Sequence, residues 1–159
     1  MLALKVTDLK TFTNEMFIGE IFDNFLCVKA SINHDISYNI DGHLSNEFKS
    51  PEDEDAYISW KKLKPLIFSM IKGNKLPIGF NIVLGVTKES LNILYNSSTH
   101  DYTVDQVEGL FLNVMFKNGE IIVTTGSSYS IFSMDKGLDH SFETAVKKLL
   151  ISKNIDFEE

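Results

Sequence analysis

Four times in this chain a histidine stands beside a carboxylate, an arrangement that can hold a metal or form a general base. The pairs are His34-Asp35, Asp41 with His43, His100-Asp101 and Asp139-His140. Each falls where a turn or helix start is expected, and no His-x-x-x-His or similar ligand spacing accompanies them. Ordinary surface histidines are therefore the expectation, with Asp139 read as a helix N-cap. No catalytic residue, metal ligand or cofactor is assigned on this basis.

The run Thr-Thr-Gly-Ser-Ser-Tyr-Ser-Ile-Phe, residues 124 to 132, crowds hydroxyl groups around one glycine. A phosphate loop would need Gly-Lys-Ser and a following helix, and a nucleophile elbow would need Gly-x-Ser-x-Gly. Here more strand-like sequence follows, so Gly126-Ser127 reads as a type II′ hairpin turn. With Asn118-Gly119 as the preceding turn, three strands are expected: Leu110 to Lys117, Glu120 to Thr125 and Ser128 to Met134. Their register puts Phe116, Ile121 and Phe132 on a core face beside Val114, Val123 and Ser130. The other face carries Met115, Ile122 and Ile131 with a polar row of Asn113, Thr124 and Tyr129. Cross-strand hydrogen bonding accounts for that row, while the sharper reading is a ligand patch completed by His140.

Trp60-Lys61-Lys62-Leu63-Lys64 is the most basic stretch and includes an aromatic ring, so it could lie along phosphates. The commoner arrangement is a solvated helix face with Trp60 turned inward.

The elements that must position these residues can be read from periodicity. The chain has 159 residues, is 43% hydrophobic and contains 12 Phe, enough for one domain with its own core. No apolar run approaches a membrane span, and one cysteine, Cys27, excludes an internal disulfide, so a soluble cytoplasmic protein is expected. The net charge is −7 and all 15 basic residues are Lys. Without arginine, bidentate recognition of guanine or phosphate loses its usual side chain.

Leu2, Leu4 and Val6 suggest a strand, followed by a helix on Leu9, Phe12, Met16 and Phe17 that ends by Gly19. Phe25 to Ile32, Ile36 to Ile40 and a stretch near His43 to Phe48 read as three strands, with turns at Asn33 to Asp35 and Asp41-Gly42. Ser50-Pro51-Glu52-Asp53 looks like a helix start, and Tyr57, Trp60, Leu63, Ile67 and Met70 form its apolar face up to Gly73. Pro65 is expected to kink or split that helix. A strand over Leu76 to Val86, a helix over Thr87 to Tyr95, a capping box at Thr103 to Gln106 and a final helix from Leu138 to about Ser152 complete the reading.

Val6-Thr7 recurs as Val86-Thr87, Phe25-Leu-Cys-Val28 as Phe111-Leu-Asn-Val114, and Gly42 as Gly126, at offsets of 80, 86 and 84 residues. The order β-α-β-β-β thus occurs twice. It resembles a DNA sliding-clamp domain over roughly residues 1 to 48 and 76 to 134, with MLALKVTDLKTFTNEM similar to a clamp's opening strand and helix. The likeness implies an α+β fold with a largely antiparallel sheet and DNA-lining helices. The whole chain, especially SWKKLKPLIFSMIKGNKLPIGF and VTTGSSYSIFSMDKGLD, also resembles an uncharacterised bacterial domain-of-unknown-function family. The organisation expected is repeat one at 1 to 48, a helical connection at 50 to 74, repeat two at 76 to 134 and a C-terminal helix at 138 to 153. The leading functional expectation is a non-enzymatic, intracellular binding or assembly protein working through a protein partner or self-association. A small enzyme or small-molecule binder using Asn113, Thr124, Tyr129 and His140 is the alternative. A weak nucleic-acid binder using Lys61, Lys62 and Lys64 is the third.

Overall fold

The computed structural model describes residues 1–52, 54–73 and 75–159. Its strands are β1 (Ala3–Val6), β2 (Phe25–Asn33), β3 (Ser37–Asp41), β4 (Ile58–Ser59), β5 (Gly79–Val86), β6 (Val107–Lys117), β7 (Glu120–Tyr129) and β8 (Phe157–Glu158). The helices are α1 (Leu9–Phe17), α2 (Trp60–Ile71), α3 (Lys88–Asn96) and α4 (Gly137–Ser152), and Val104–Gln106 forms one 3₁₀ turn. All strands join one antiparallel sheet in the order β3-β2-β5-β6-β7-β1-β8, with β4 attached to β2. The expected α+β class, with a largely antiparallel sheet, is the observed one.

Strand alternation gives this sheet two unlike faces. Leu4, Val6, Ala30, Ile32, Ile82, Leu84, Leu112, Val114, Ile121 and Val123 point to one side and are buried. Phe12 and Met16 of α1, Trp60 and Ile67 of α2, and Phe142 and Val146 of α4 pack into the same apolar cluster, with Leu91 and Leu94 of α3 against it. Phe17 links these layers, its ring standing edge-on to Phe80 at 5.7 Å and 5.9 Å from Trp60. Cys27 is buried in this cluster, and that burial pushes its thiol pKa up to about 12.

Several expectations meet a different outcome. Gly126-Ser127 does not turn the chain: β7 runs on, pairing Gly126 with Phe111 and Ser127 with Leu110. The reason lies in β6, which begins at Val107 rather than Leu110 and offers partners along the whole of β7. The third strand over Ser128 to Met134 is therefore absent beyond Tyr129, and Phe132 lies 89% exposed instead of in the core. The other turn holds, since Asn118 and Gly119 both have positive φ, at 54° and 76°, as a type I′ hairpin requires.

In the first half, His43 to Phe48 forms no strand; only an isolated bridge joins His43 to Tyr57. Gly42 serves close approach rather than a turn, because a Cβ there would lie 1.8 Å from the Cys27 carbonyl oxygen. The helix read from Ser50 begins ten residues later at Trp60. Tyr57 to Ser59 are drawn into pairing with His43 and β2, and Ser59 becomes the cap, accepting from the Lys62 N–H at 3.3 Å. Asp53, in the start read from sequence, and Asn74, at the end of the expected connection, lie outside the described residues. Pro65 sits inside an unsplit α2. It removes only the backbone bond to the Lys61 carbonyl, while both neighbouring turns are anchored by buried Trp60, Leu63 and Ile67.

As for the two units, β1 pairs with β7 and β8, whereas β5 pairs with β2 and β6, so the opening strands of the units occupy different places in the sheet. Residues 1 to 48 supply β1, α1, β2 and β3, and residues 76 to 134 supply β5, α3, β6 and β7, so two strands follow each helix where three were expected.

Inside the helical layer, Trp60 Nε1 donates to the Met16 carbonyl at 2.9 Å, and Lys64 Nζ donates to the Gly19 carbonyl at 2.5 Å and to Asp23 Oδ1 at 2.6 Å. The Lys64 and Asp23 side chains are only 11% and 14% exposed, so removing one charge strands the other. Asp23→Asn is expected to destabilise the fold by about 3 kcal/mol in urea unfolding, with a large part recovered in the Asp23→Asn/Lys64→Met double variant. Equal stability of wild type and Asp23→Asn would contradict this.

Candidate functional site

The outward face of the sheet brings together part of the patch read from sequence and separates the rest. Asn113 on β6 lies opposite Thr124 on β7 and Val83 on β5. Asn81 on β5 lies opposite Met115, which makes Asn81 and Asn113 diagonal neighbours. Met115 in turn faces Ile122. Tyr129 does not join them: with β7 continuous, residues 124 and 129 differ by an odd number and point to opposite faces. Its hydroxyl instead donates to Asp139 Oδ1 on α4 at 2.7 Å, and burial, then that bond, raises the phenol pKa. His140 is also apart, its side chain 74% exposed on α4 with Nδ1 3.5 Å from Glu143.

No helix among the described residues packs on this outward face, because the buried side chains of α1, α2 and α4 share the cluster of the inward strand residues. Its centre is apolar and amide-rich. The Phe111 ring lies over Gly109, where a Cβ would come within 2.6 Å of the ring, and Val83, Met115 and Ile122 continue the apolar strip. The Oδ1 atoms of Asn81 and Asn113 are buried and have no hydrogen-bond partner among the described residues. Charges of both signs stand around this centre, including Lys29, Asp41 and Lys117 and the Lys5–Glu120 ion pair at 3.0 Å. A recess of about 640 Å³ opens between Lys29, Ser31, Asn39, Asp41, His43 and Asn81.

The basic stretch on α2 is divided by the fold. Trp60 is buried as its helical position implies and Lys64 is committed to Asp23 and Gly19, leaving Lys61 and Lys62 on the surface. Lys62 shares a recess with Glu52, Glu54 and Asp55.

Of the four histidines, His34 lies 3.2 Å from Asp35 and His43 lies 3.6 Å from Asp41, as their spacing suggests. His100 departs from the surface reading: its side chain is 0% exposed and its Nδ1 faces Asp135 Oδ2 at 3.2 Å, while Asp101 accepts from Ser133. Ser98 Oγ stands 3.1 Å from His100 Nε2, which gives the serine–histidine–aspartate order of a nucleophilic triad. Nε2 also faces the Tyr95 carbonyl at 3.0 Å, an acceptor with no proton to give. Nδ1 thus faces a carboxylate, and Nε2 faces both a carbonyl and a hydroxyl.

The surroundings make this cluster a joint. His100 lies between the rings of Tyr95, at 4.6 Å, and Tyr102, at 5.2 Å, and Tyr102 meets Tyr129 at 5.3 Å. The Tyr95 hydroxyl donates to the Tyr102 carbonyl. Asp135 Oδ1 accepts from the Gly137 N–H at 2.8 Å, so α4 opens at Gly137 and Asp139 sits in its first turn rather than at the cap. This joint ties the end of α3 to the end of β7 and the start of α4. Sequence reasoning missed it because His100 and Asp135 are 35 residues apart and no local spacing marks the pair. Among the described residues, no three of His, Cys, Asp and Glu gather as metal ligands would.

The Gly137 N–H, followed by the His100 bond, holds the Asp135 carboxyl below its ordinary pKa. A carboxyl lowered in the folded state stabilises above its unfolded pKa of about 4 and loses that contribution as pH falls through the folded value. Stability measured by urea from pH 7 to pH 3 is expected to fall less steeply in Asp135→Asn than in the wild type below about pH 4. Identical acid limbs would contradict the joint.

Comparison with curated proteins and with solved structures gives no match at either level. No helix among the described residues is long and apolar enough to cross a membrane. A family model described as a family of unknown function matches residues 15–158, nearly the whole sheet and all but the first turns of the helical layer, and the chain therefore belongs to the Family of unknown function (DUF5721).

Proposed function

We propose that this chain is a non-enzymatic binding protein that acts as one domain through protein contacts, made by the outward face of its sheet. The observation that carries the reading is the composition of that face. Phe111, Val83, Met115 and Ile122 form an apolar centre, Asn81, Asn113 and Thr124 lie among them, and mixed charges surround them, the pattern of an interface core and its rim. Antiparallel sheets often leave one face to water, but such faces alternate cleanly to polar residues. This one does not.

The occupant that fits is a second copy. Two such faces can stack as in a β-sandwich, about 10 Å apart, and a two-fold axis can set Lys5, Lys29 and Lys117 of one copy against Asp41 and Glu120 of the other. The single buried cysteine supports a reducing, cytoplasmic setting. A DNA-encircling role draws no support from α1 and α3, where Lys10 stands with Asp8 and Glu15, and Lys88 beside Glu89. The nucleic-acid reading of α2 loses Lys64 to Asp23.

Light scattering at micromolar concentration is expected to give the mass of a dimer. Met115→Lys with Ile122→Lys, both on the outward face, is expected to give a monomer with unchanged circular dichroism. A monomeric wild type, or a dimer indifferent to these substitutions, would contradict the proposal.

A further inference from the structure

A second surface points to a different partner. Between α1, the C-terminal end of α2 and the β6–β7 turn lies a groove of about 590 Å³. Its floor is aromatic: Phe17 stacks on Phe68 at 6.3 Å and meets Phe80, and Phe80 stacks on Phe116 at 5.4 Å. Its flanks remain open, with Ile18 62% and Leu76 86% exposed. Phe17 and Phe80 are themselves buried, so the apolar surface left to water is mainly that of the flanks, which is costly unless something covers it.

Charge identifies the occupant. The chain carries 22 acidic and 15 basic residues, yet the charged side chains lining the groove are Lys10 and Lys72, with no carboxylate among the described residues there. Lys10 comes from α1 and Lys72 from the residue after α2, so the two cations are supplied by different elements. Lys72 Nζ lies 5.9 Å from the Phe68 ring, which holds the charge at the mouth of the groove.

We propose that the groove docks an acidic amphipathic helix of a partner protein. Apolar side chains at positions i, i+3, i+4 and i+7 would enter over Phe17, Phe68, Phe80 and Phe116, and carboxylates flanking them would meet Lys10 and Lys72. A second copy of this chain is the poorer occupant. Its helices α1, α2 and α4 bury Phe12 and Met16, Trp60 and Ile67, and Phe142 and Val146, and α3, which leaves Ile93 66% exposed, carries one Lys and one Glu and is not acidic. The groove lies on the helical side of the sheet, so this inference does not rest on the outward-face proposal.

The test uses the full chain and a fluorescein-labelled synthetic helix of about four turns, with Leu and Phe at the inward positions and Glu elsewhere, followed by anisotropy. Binding in the micromolar range is expected. Lys10→Glu with Lys72→Glu should weaken it about tenfold or more, as should Ile18→Glu, while Met115→Lys should leave it unchanged. Circular dichroism and urea midpoints check that the variants fold. A helix with Lys in place of Glu should bind about tenfold more weakly. Several outcomes would overturn the inference. These are no binding below about 1 mM, equal affinity for the acidic and basic helices, indifference to the groove substitutions, or displacement of the peptide by oleate at equal concentration.

Discussion

The rest of this structure depends on a sheet that buries only one of its faces. Strand alternation fixes this: inward positions of β1, β2, β5, β6 and β7 are almost all branched aliphatic or aromatic, and every helix finds its apolar partner there. The helices are held to that side by links that pair one element with another. Trp60 reaches the Met16 carbonyl, Lys64 reaches Asp23, and Tyr129 reaches Asp139. Once the four helices are committed to one face, no helix among the described residues covers the other.

The His100 joint brings polar groups into a seam between elements. Its distances satisfy the geometry of a nucleophile, a base and an orienting carboxylate. The Tyr95 carbonyl also approaches Nε2, so that nitrogen has a carbonyl and the Ser98 hydroxyl as neighbours. The same donors and acceptors close the seam between α3, β7 and α4. Pairing there is not complete, since the Tyr102 hydroxyl is buried with no hydrogen-bond partner among the described residues.

Much of the fold was legible where periodicity alone decides. The α1, α3 and α4 helices, β2, β3 and the Asn118-Gly119 hairpin follow from local pattern, and so does the opposition of Asn113 to Thr124 and of Met115 to Ile122. The errors lie where a distant strand outbid a local signal. Gly-Ser is good turn sequence, but β6 extended to Val107 and kept β7 straight. Ser50-Pro51 is good cap sequence, but pairing of Ile58 and Ser59 with β2 moved the helix start to Trp60. Because Gly126-Ser127 did not turn, Tyr129 changed face, and the patch was recovered only in part. The groove was invisible in the sequence because its floor draws single aromatics from α1, α2, β5 and β6.

The central claim is that the outward sheet face is covered in solution by another protein surface, and hydroxyl-radical footprinting across a dilution series tests it most directly. Met115 sits on that face, and Met134, 83% exposed, lies outside the sheet and serves as the internal reference. The account predicts that Met115 oxidation rises several-fold on dilution from about 100 to about 0.1 micromolar while Met134 stays constant, as a covered residue uncovered by dissociation must behave. Oxidation of Met115 that tracks Met134 at every concentration would contradict it.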